Sequence, residues 1–367
     1  MFSRQACYRL ARLAARYPPR RTLATAPSDH VNIIEVGPRD GLQNEKQTIP
    51  LETKIELVER LTETGVRTIE AGSFVSPKWT PQMANSSEIL EHILQRPPPS
   101  AHPITYQFLA PNAKGLDNLL SVYNKSSSTQ KRAPSNAPPT PPPSPGAEQT
   151  QSPQIDLSIF TAATETFTRK NTNCSIAESL ERFQPIMASA KSQNIRIRAY
   201  ISVVLGCPYE GPDVDPHKVA ELAVSLLEMG ADEISVADTT GMGTAPKTAT
   251  LLKTLASAGV NSEDMALHFH DTYGMALVNS VVALEHGIRT FDSAVAGLGG
   301  CPYSPGATGN VATEDLVYLF ESLGLRTGVD LGKMAEVGEW ISEQLSRRTE
   351  SRAGKAFLAR ARAKSKE

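Results

Sequence analysis

Residues 232–270 read DEISVADTTGMGTAPKTATLLKTLASAGVNSEDMALHFH. A short β-rich run, DEISVA (232–237), is followed by a longer amphipathic run over 246–257, and a second β-rich run, MALHFH (265–270), follows that. Strand, helix, strand in this order demands a parallel sheet with a helix covering it. The same rhythm extends both ways. Upstream, VNIIEV (31–36) precedes a helix over 52–64, VRTIEA (66–71) one near 85–95, and ITYQFL (104–109) one near 115–123. IDLSIF (155–160) then precedes a helix over 176–192, and IRIRAYISVV (195–204) one over 216–229. Downstream, MALHFH leads to a helix over 275–286, and IRTFDSAV (288–295) to one over 312–323. Eight strand–helix pairs predict an α/β fold, a closed (β/α)8 TIM barrel; an open doubly wound sheet is the second choice. Residues 330–364 add two C-terminal helices outside the barrel.

Bulk properties bound the partners. The 367-residue chain is 40% hydrophobic and 21% charged, with a net charge of −2. No basic excess points to nucleic acid, and no apolar run reaches the ~18 residues of a membrane span. The four cysteines, Cys7, Cys174, Cys207 and Cys301, lie far apart without CxxC spacing. That pattern excludes a disulfide framework and a zinc knuckle, and reads as a reduced intracellular protein.

Two stretches stand apart. Residues 1–28 carry Arg4, Arg9, Arg12, Arg16, Arg20 and Arg21, with no acid before Asp29. An Arg-rich, acid-free, amphipathic start is the signature of a mitochondrial transit peptide, which places the protein in the mitochondrial matrix; a basic tail is the plainer alternative. Residues 124–153 are rich in Pro and Ser and nearly devoid of apolar side chains, so they are expected to be a disordered insertion. It falls between the third helix and the fourth strand, on the barrel face opposite an active site, and is not expected to act as a lid. The expected division is therefore a leader (1–28), a barrel unit (29–347) and a C-terminal tail (348–367).

In a barrel, catalytic residues belong at the C-terminal ends of strands. Arg39 and Asp40 follow the first strand, Glu70 ends the second, Asn112 follows the third, and Cys207 the fifth. Asp238 ends the sixth, His268 and His270 lie in the seventh, and the eighth leads into AGLGGCPYSPGATGN (296–310), with Cys301 and Asn310. Residues i and i+2 of a strand point to one side, so both histidines can face inward and share a cation. With Asp40 and an Asn310 amide oxygen they make a mixed N/O shell suited to a divalent cation such as Mg²⁺ or Mn²⁺, and zinc is not excluded. Arg39 either bridges to Glu35 or Glu70, or stabilises an oxyanion. Asp238 and Glu70 read as groups that orient the shell, or as a helix cap and an ion-pair partner. Strand position does not separate Cys207 from Cys301. The glycines around Cys301 favour it, since they let a loop approach a ligand and close.

Taken together, VGPRDGLQNE (36–45), SFVSPKWTPQM (73–83), FTRKNTNCSI (167–176), GCPYEG (206–211), HFHDTYG (268–274), AGLGGCPYSPGATGN (296–310) and ATEDLVYL (312–319) resemble the 3-hydroxy-3-methylglutaryl-CoA lyases over 31–347. These belong to a metal-dependent (β/α)8 superfamily that includes isopropylmalate and homocitrate synthases. The resemblance implies cleavage of (S)-3-hydroxy-3-methylglutaryl-CoA to acetyl-CoA and acetoacetate, in leucine breakdown and ketogenesis. It implies a catalytic Cys301, cation ligands at Asp40, His268, His270 and Asn310, a substrate contact at Arg39 and, as is common there, a homodimer. EAGSFVSPKW, with Gly72 before the serine, departs from the usual TSFVSPKW, and the tail lacks the cysteine that some animal members use for redox control. The alternatives are a superfamily sibling acting on another acyl-CoA or a 2-oxo acid, and a catalytically dead barrel serving as a scaffold. A synthase would carry a long C-terminal regulatory domain; a scaffold would need none of the polar set.

Overall fold

The computed structural model describes residues 29–130, 153–300 and 309–365. The expected leader, most of the Pro/Ser-rich stretch and Cys301 lie outside the described residues. Eight parallel strands close into a barrel in sequence order: β1 (Asn32–Glu35), β2 (Thr68–Ser73), β3 (Thr105–Leu109), β4 (Gln154–Ala162), β5 (Ile197–Ser202), β6 (Glu233–Asp238), β7 (Met265–Phe269) and β8 (Thr290–Ser293). Closure is made by β1 on β8, with Asn32 opposite Thr290 and Glu35 opposite Ser293. The open-sheet alternative is thereby excluded.

The helices α1 (Leu51–Thr62), α2 (Ser86–Gln95), α3 (Ala113–Gln130), α4 (Glu165–Thr172), α5 (Ile176–Ser192), α6 (Pro216–Met229), α7 (Ala245–Ser257), α8 (Ala276–Glu285) and α9 (Thr313–Ser322) follow the strands in turn. Local chemistry starts and stops them. Ser175 and Glu178 form a reciprocal capping box on α5. Asp215 caps α6 ahead of Pro216, and α6 ends at Gly230, whose left-handed backbone (φ 114°) suits glycine. The strands' outer side chains, such as Ile33, Ile69, Leu157, Ile234 and Phe291, join the helices' inner faces in one apolar layer.

Two helices complete the chain. α10 (Leu331–Gln344) packs on α1, and α11 (Arg352–Lys364) packs on α9 and α10. The expected tail over 348–367 is thus largely helical, and its Ser351 is fully buried. Three further boundaries differ from expectation. α3 runs to Gln130 rather than ending near 123, because a helix already nucleated extends at little further cost. α4 was not expected, since ETFTRKNT has almost no apolar period; Cys174 lies between its C-cap, Asn173, and the N-cap of α5, Ser175. β2 carries a bulge between Glu70 and Gly72, and a Cβ on Gly72 would lie 2.8 Å from Ser86 Oγ. The departure at Gly72 thus sits where strand and helix approach closely.

Candidate active site

Glu35, at the end of β1, is wholly buried and organises the turn that follows. Its carboxylate accepts the N–H of Gly37 (2.8 Å) and of Val295 (2.9 Å), and the hydroxyl of Thr313 (2.6 Å). Residues Gly37–Gly41 form one buried π-helical turn, GPRDG. Its glycines are steric necessities: a Cβ on Gly37 would lie 2.5 Å from Glu35 Oε1, and one on Gly41 2.7 Å from Leu298 Cβ. The turn aims Arg39 and Asp40 into the C-terminal mouth. Arg39 pairs with Glu70 (2.5 Å) and Asp40 (2.5 Å), not with Glu35.

Asp40, His268 and His270 each bring a ligand atom to within 4.8 Å of the others. His268 Nε2 is 3.9 Å and His270 Nε2 3.8 Å from Asp40 Oδ2, too far for hydrogen bonds and suitably spaced to share a cation. Asn310 pairs with His270 across an isolated bridge and donates its Nδ2–H to Asp40 Oδ2 (2.9 Å). That leaves its Oδ1 buried without a partner, as is His270 Nδ1. Buried polar atoms are rarely left so; an amide with an unsatisfied oxygen, on a residue bonded to the carboxylate that two imidazoles approach, fits a divalent cation. Burial alone would raise the Asp40 carboxyl, but Arg39 and the two imidazoles outweigh it and hold it ionised. Burial lowers His270, keeping it neutral as a ligand must be.

Around this cluster the other expected residues take definite places. Glu70 accepts from Arg39 Nε (2.6 Å) and from Tyr200 Oη (3.0 Å) through Oε2, and leaves Oε1 unpartnered. Asp238 accepts the Gly243 N–H through Oδ2 (2.8 Å), has no partner at Oδ1, and is pushed up to about 6 by burial. Asn112 is engaged locally, its Oδ1 accepting the Gly115 N–H at the start of α3. Sequence reasoning missed four groups in the barrel interior: Tyr200 and Arg198 on β5, Asp292 on β8 and Gln107 on β3. His268 Nδ1 lies 3.2 Å from Asp292 Oδ2, and Arg198 pairs with Asp292 at 2.5 Å and with Glu233 at 3.1 Å. Arg198 and Tyr200 stand two apart on one strand, so they share a face.

The two cysteines now separate in one respect. Cys207 is buried, accepts a hydrogen bond from Thr164 Oγ1 (3.2 Å) and packs with Ala162, Phe167 and Val203. Cys301 is outside the described residues, but the roots of its loop are not. Ala296 (φ 59°), Gly297 (φ 63°) and Gly299 (φ 118°) turn the chain sharply. A Cβ on Gly309 would lie 2.5 Å from the Gly299 carbonyl carbon, so the loop's two ends are pinned together. Asn44 donates to the Gly300 carbonyl (2.9 Å), and Glu314 accepts the Ala296 N–H.

Glu35 and Glu314, which brace this root, are pushed up to about 7 and about 8 by burial. A carboxyl whose folded pKa exceeds its unfolded one stabilises fully below the unfolded value of 4.5 and loses that contribution as pH rises through the folded value. Stability should therefore fall between about pH 4.5 and 8, by up to ~1.4 kcal/mol per unit for each group. Glu314→Gln should flatten that slope in urea titrations across the range; an unchanged slope would contradict it.

The chain is similar to known proteins over most of its length. The model of the family described as HMGL-like matches residues 30–341. The mitochondrial hydroxymethylglutaryl-CoA lyase of Rattus norvegicus is 46% identical over 338 residues, covering 91% of this chain and 91% of its own. The solved hydroxymethylglutaryl-CoA lyase of Pseudomonas aeruginosa is 46% identical, covers 91% of this chain and 99% of its own, and superposes with a TM-score of 0.78. An HMG-CoA lyase of Acenitobacter baumannii, solved in complex with coenzyme A and 3-methylmalate, is 32% identical over 90% of this chain and 96% of its own, with a TM-score of 0.76.

Proposed function

The chain belongs to the HMGL-like family, and on that premise we propose that it is a carbon–carbon lyase that cleaves 3-hydroxy-3-methylglutaryl-CoA to acetyl-CoA and acetoacetate. The observation that carries this is the convergence of Asp40, His268, His270 and the unpartnered Asn310 Oδ1 beside the buried Arg39. These four side chains would hold a divalent cation, Mg²⁺ or Mn²⁺. When bound, it supplies Lewis-acid stabilisation of negative charge on substrate oxygen.

The remaining chemistry belongs to the protein. The reaction is a retro-Claisen cleavage: the tertiary hydroxyl loses its proton, the O–H electrons form the ketone of acetoacetate, and the broken C–C bond's electrons become the enolate of acetyl-CoA. Asp238, raised by burial and bare at Oδ1, takes the hydroxyl proton. Arg39 stabilises the enolate oxygen with its permanent charge, and Glu70 with Tyr200 fixes the guanidinium plane. Cys301 returns a proton to the enolate carbon. A histidine whose Nε2 would hold the cation, and whose Nδ1 lies 3.2 Å from Asp292 Oδ2, is a poor base, which removes His268 from that role.

The relatives include both a mitochondrial and a bacterial enzyme of equal identity. We assign this chain to the mitochondrial matrix on the composition of residues 1–28, with 29–347 as the catalytic unit and a homodimer as the working form. Import of a fusion carrying residues 1–28 and the mass of the protein in solution test location and assembly. Residues 29–367 incubated with the substrate and Mg²⁺ should release acetoacetate and acetyl-CoA; intact substrate would refute the activity.

A further inference from the structure

The barrel interior holds a ladder of charges that reaches one histidine of the metal cluster and not the other. It starts at Glu233, whose Oε1 is 3.1 Å from Arg198 Nε. Arg198, almost fully buried, crosses the interior, donates weakly to Gln107 Oε1 (3.4 Å) and lies with Cζ 4.9 Å from the Tyr200 ring. Its other end donates to Asp292 Oδ1 at 2.5 Å. Asp292 Oδ2 accepts the hydroxyl of Ser235 (3.1 Å) and faces His268 Nδ1 (3.2 Å), its neighbour across the β7–β8 register. An ionised carboxylate only accepts. His268 must therefore carry its proton on Nδ1, and its Nε2 lone pair points at Asp40. His270 has no such support, since its Nδ1 is buried without a partner.

We propose that Asp292, held by Arg198 and Ser235, is a positioning residue that fixes the Nδ1–H tautomer and ring orientation of His268, making it the pre-set ligand of the cation site. The plainer alternative is that Asp292 serves only as the counter-ion of Arg198. The two differ in what Asp292→Asn does. Arg198 would keep the amide oxygen, which turns the amide nitrogen, a donor, toward His268. The imidazole would then accept at Nδ1 and carry its proton on Nε2, the atom that should face the metal.

This inference rests on the reading of His268 as a cation ligand, and both its tests work without substrate. In wild-type protein freed of metal, ¹⁵N-resolved NMR of His268 should show Nδ1 protonated and Nε2 bare, and in Asp292→Asn the reverse. Free Mn²⁺ followed by electron paramagnetic resonance should give a dissociation constant raised roughly 10- to 100-fold in Asp292→Asn, the usual effect of losing a ligand's outer partner. An Nε2-protonated His268 in the wild type overturns the inference, as does unchanged Mn²⁺ affinity in a folded variant. If Asp292→Asn does not fold, the wild-type spectrum alone decides. Failure of the wild type to bind Mn²⁺ would instead overturn the reading of the site.

Discussion

Cys301→Ala lowers kcat by roughly 10²- to 10⁴-fold, the range for losing a positioned proton donor, and leaves cation affinity unchanged. Cys207→Ala changes neither kcat nor cation affinity. Each cysteine begins a Cys-Pro-Tyr tripeptide after a barrel strand, so position alone treats them alike. Cys207, 1% exposed, spends its sulfur on the Thr164 hydroxyl and its surface on an apolar cluster. It behaves as a small core side chain, and its loss should cost stability rather than turnover. Cys301 adjoins Gly300, whose carbonyl is held by Asn44, in a loop whose other end is the candidate ligand Asn310. If Cys207→Ala caused the large loss and Cys301→Ala did not, the assignment would be reversed.

Arg39→Lys lowers kcat by about 10²- to 10³-fold, as for removal of one oxyanion donor. The guanidinium makes a fork to Glu70 and a separate contact to Asp40, a geometry that an ammonium cannot copy. Part of the loss is repositioning, because Glu70 also holds the Tyr200 hydroxyl and the Arg39 guanidinium lies 5.3 Å from the Tyr200 ring. Cation affinity should change little, since Asp40 Oδ1 keeps the Gln43 amide at 2.7 Å. Wild-type kcat in Arg39→Lys would show that the residue only braces the turn.

The barrel was readable because each strand–helix pair repeats one alternation, and eight repeats leave few topologies. The mouth was readable through one rule, that polar residues at strand ends mark the site; it singled out Arg39, Asp40, Glu70, Asp238, His268 and His270, but also Asn112 and Cys207, whose polar atoms are taken up by Gly115 and Thr164. Less visible were groups whose meaning depends on closure. Arg198 and Asp292 sit inside IRIRAYISVV and IRTFDSAV, and nothing local says that they meet across the barrel. A charged residue in the middle of a strand whose faces are both buried was the available signal. The part Glu35 plays was hidden for the same reason, since its partner Val295 lies in the loop after β8, and Glu314 was hidden because its partner Ala296 sits at the far end of the β8–α9 connection. Gly72 was noticed as an oddity, but only the bulge beside it explains it.

The most direct test of the account is cation-dependent turnover. Residues 29–367, freed of metal by EDTA and given (S)-3-hydroxy-3-methylglutaryl-CoA, should form no product. Added Mg²⁺ or Mn²⁺ should then restore release of acetoacetate and acetyl-CoA in equal amounts, and not in His270→Ala. Cleavage that persists in EDTA, or that survives His270→Ala unchanged, would contradict the account.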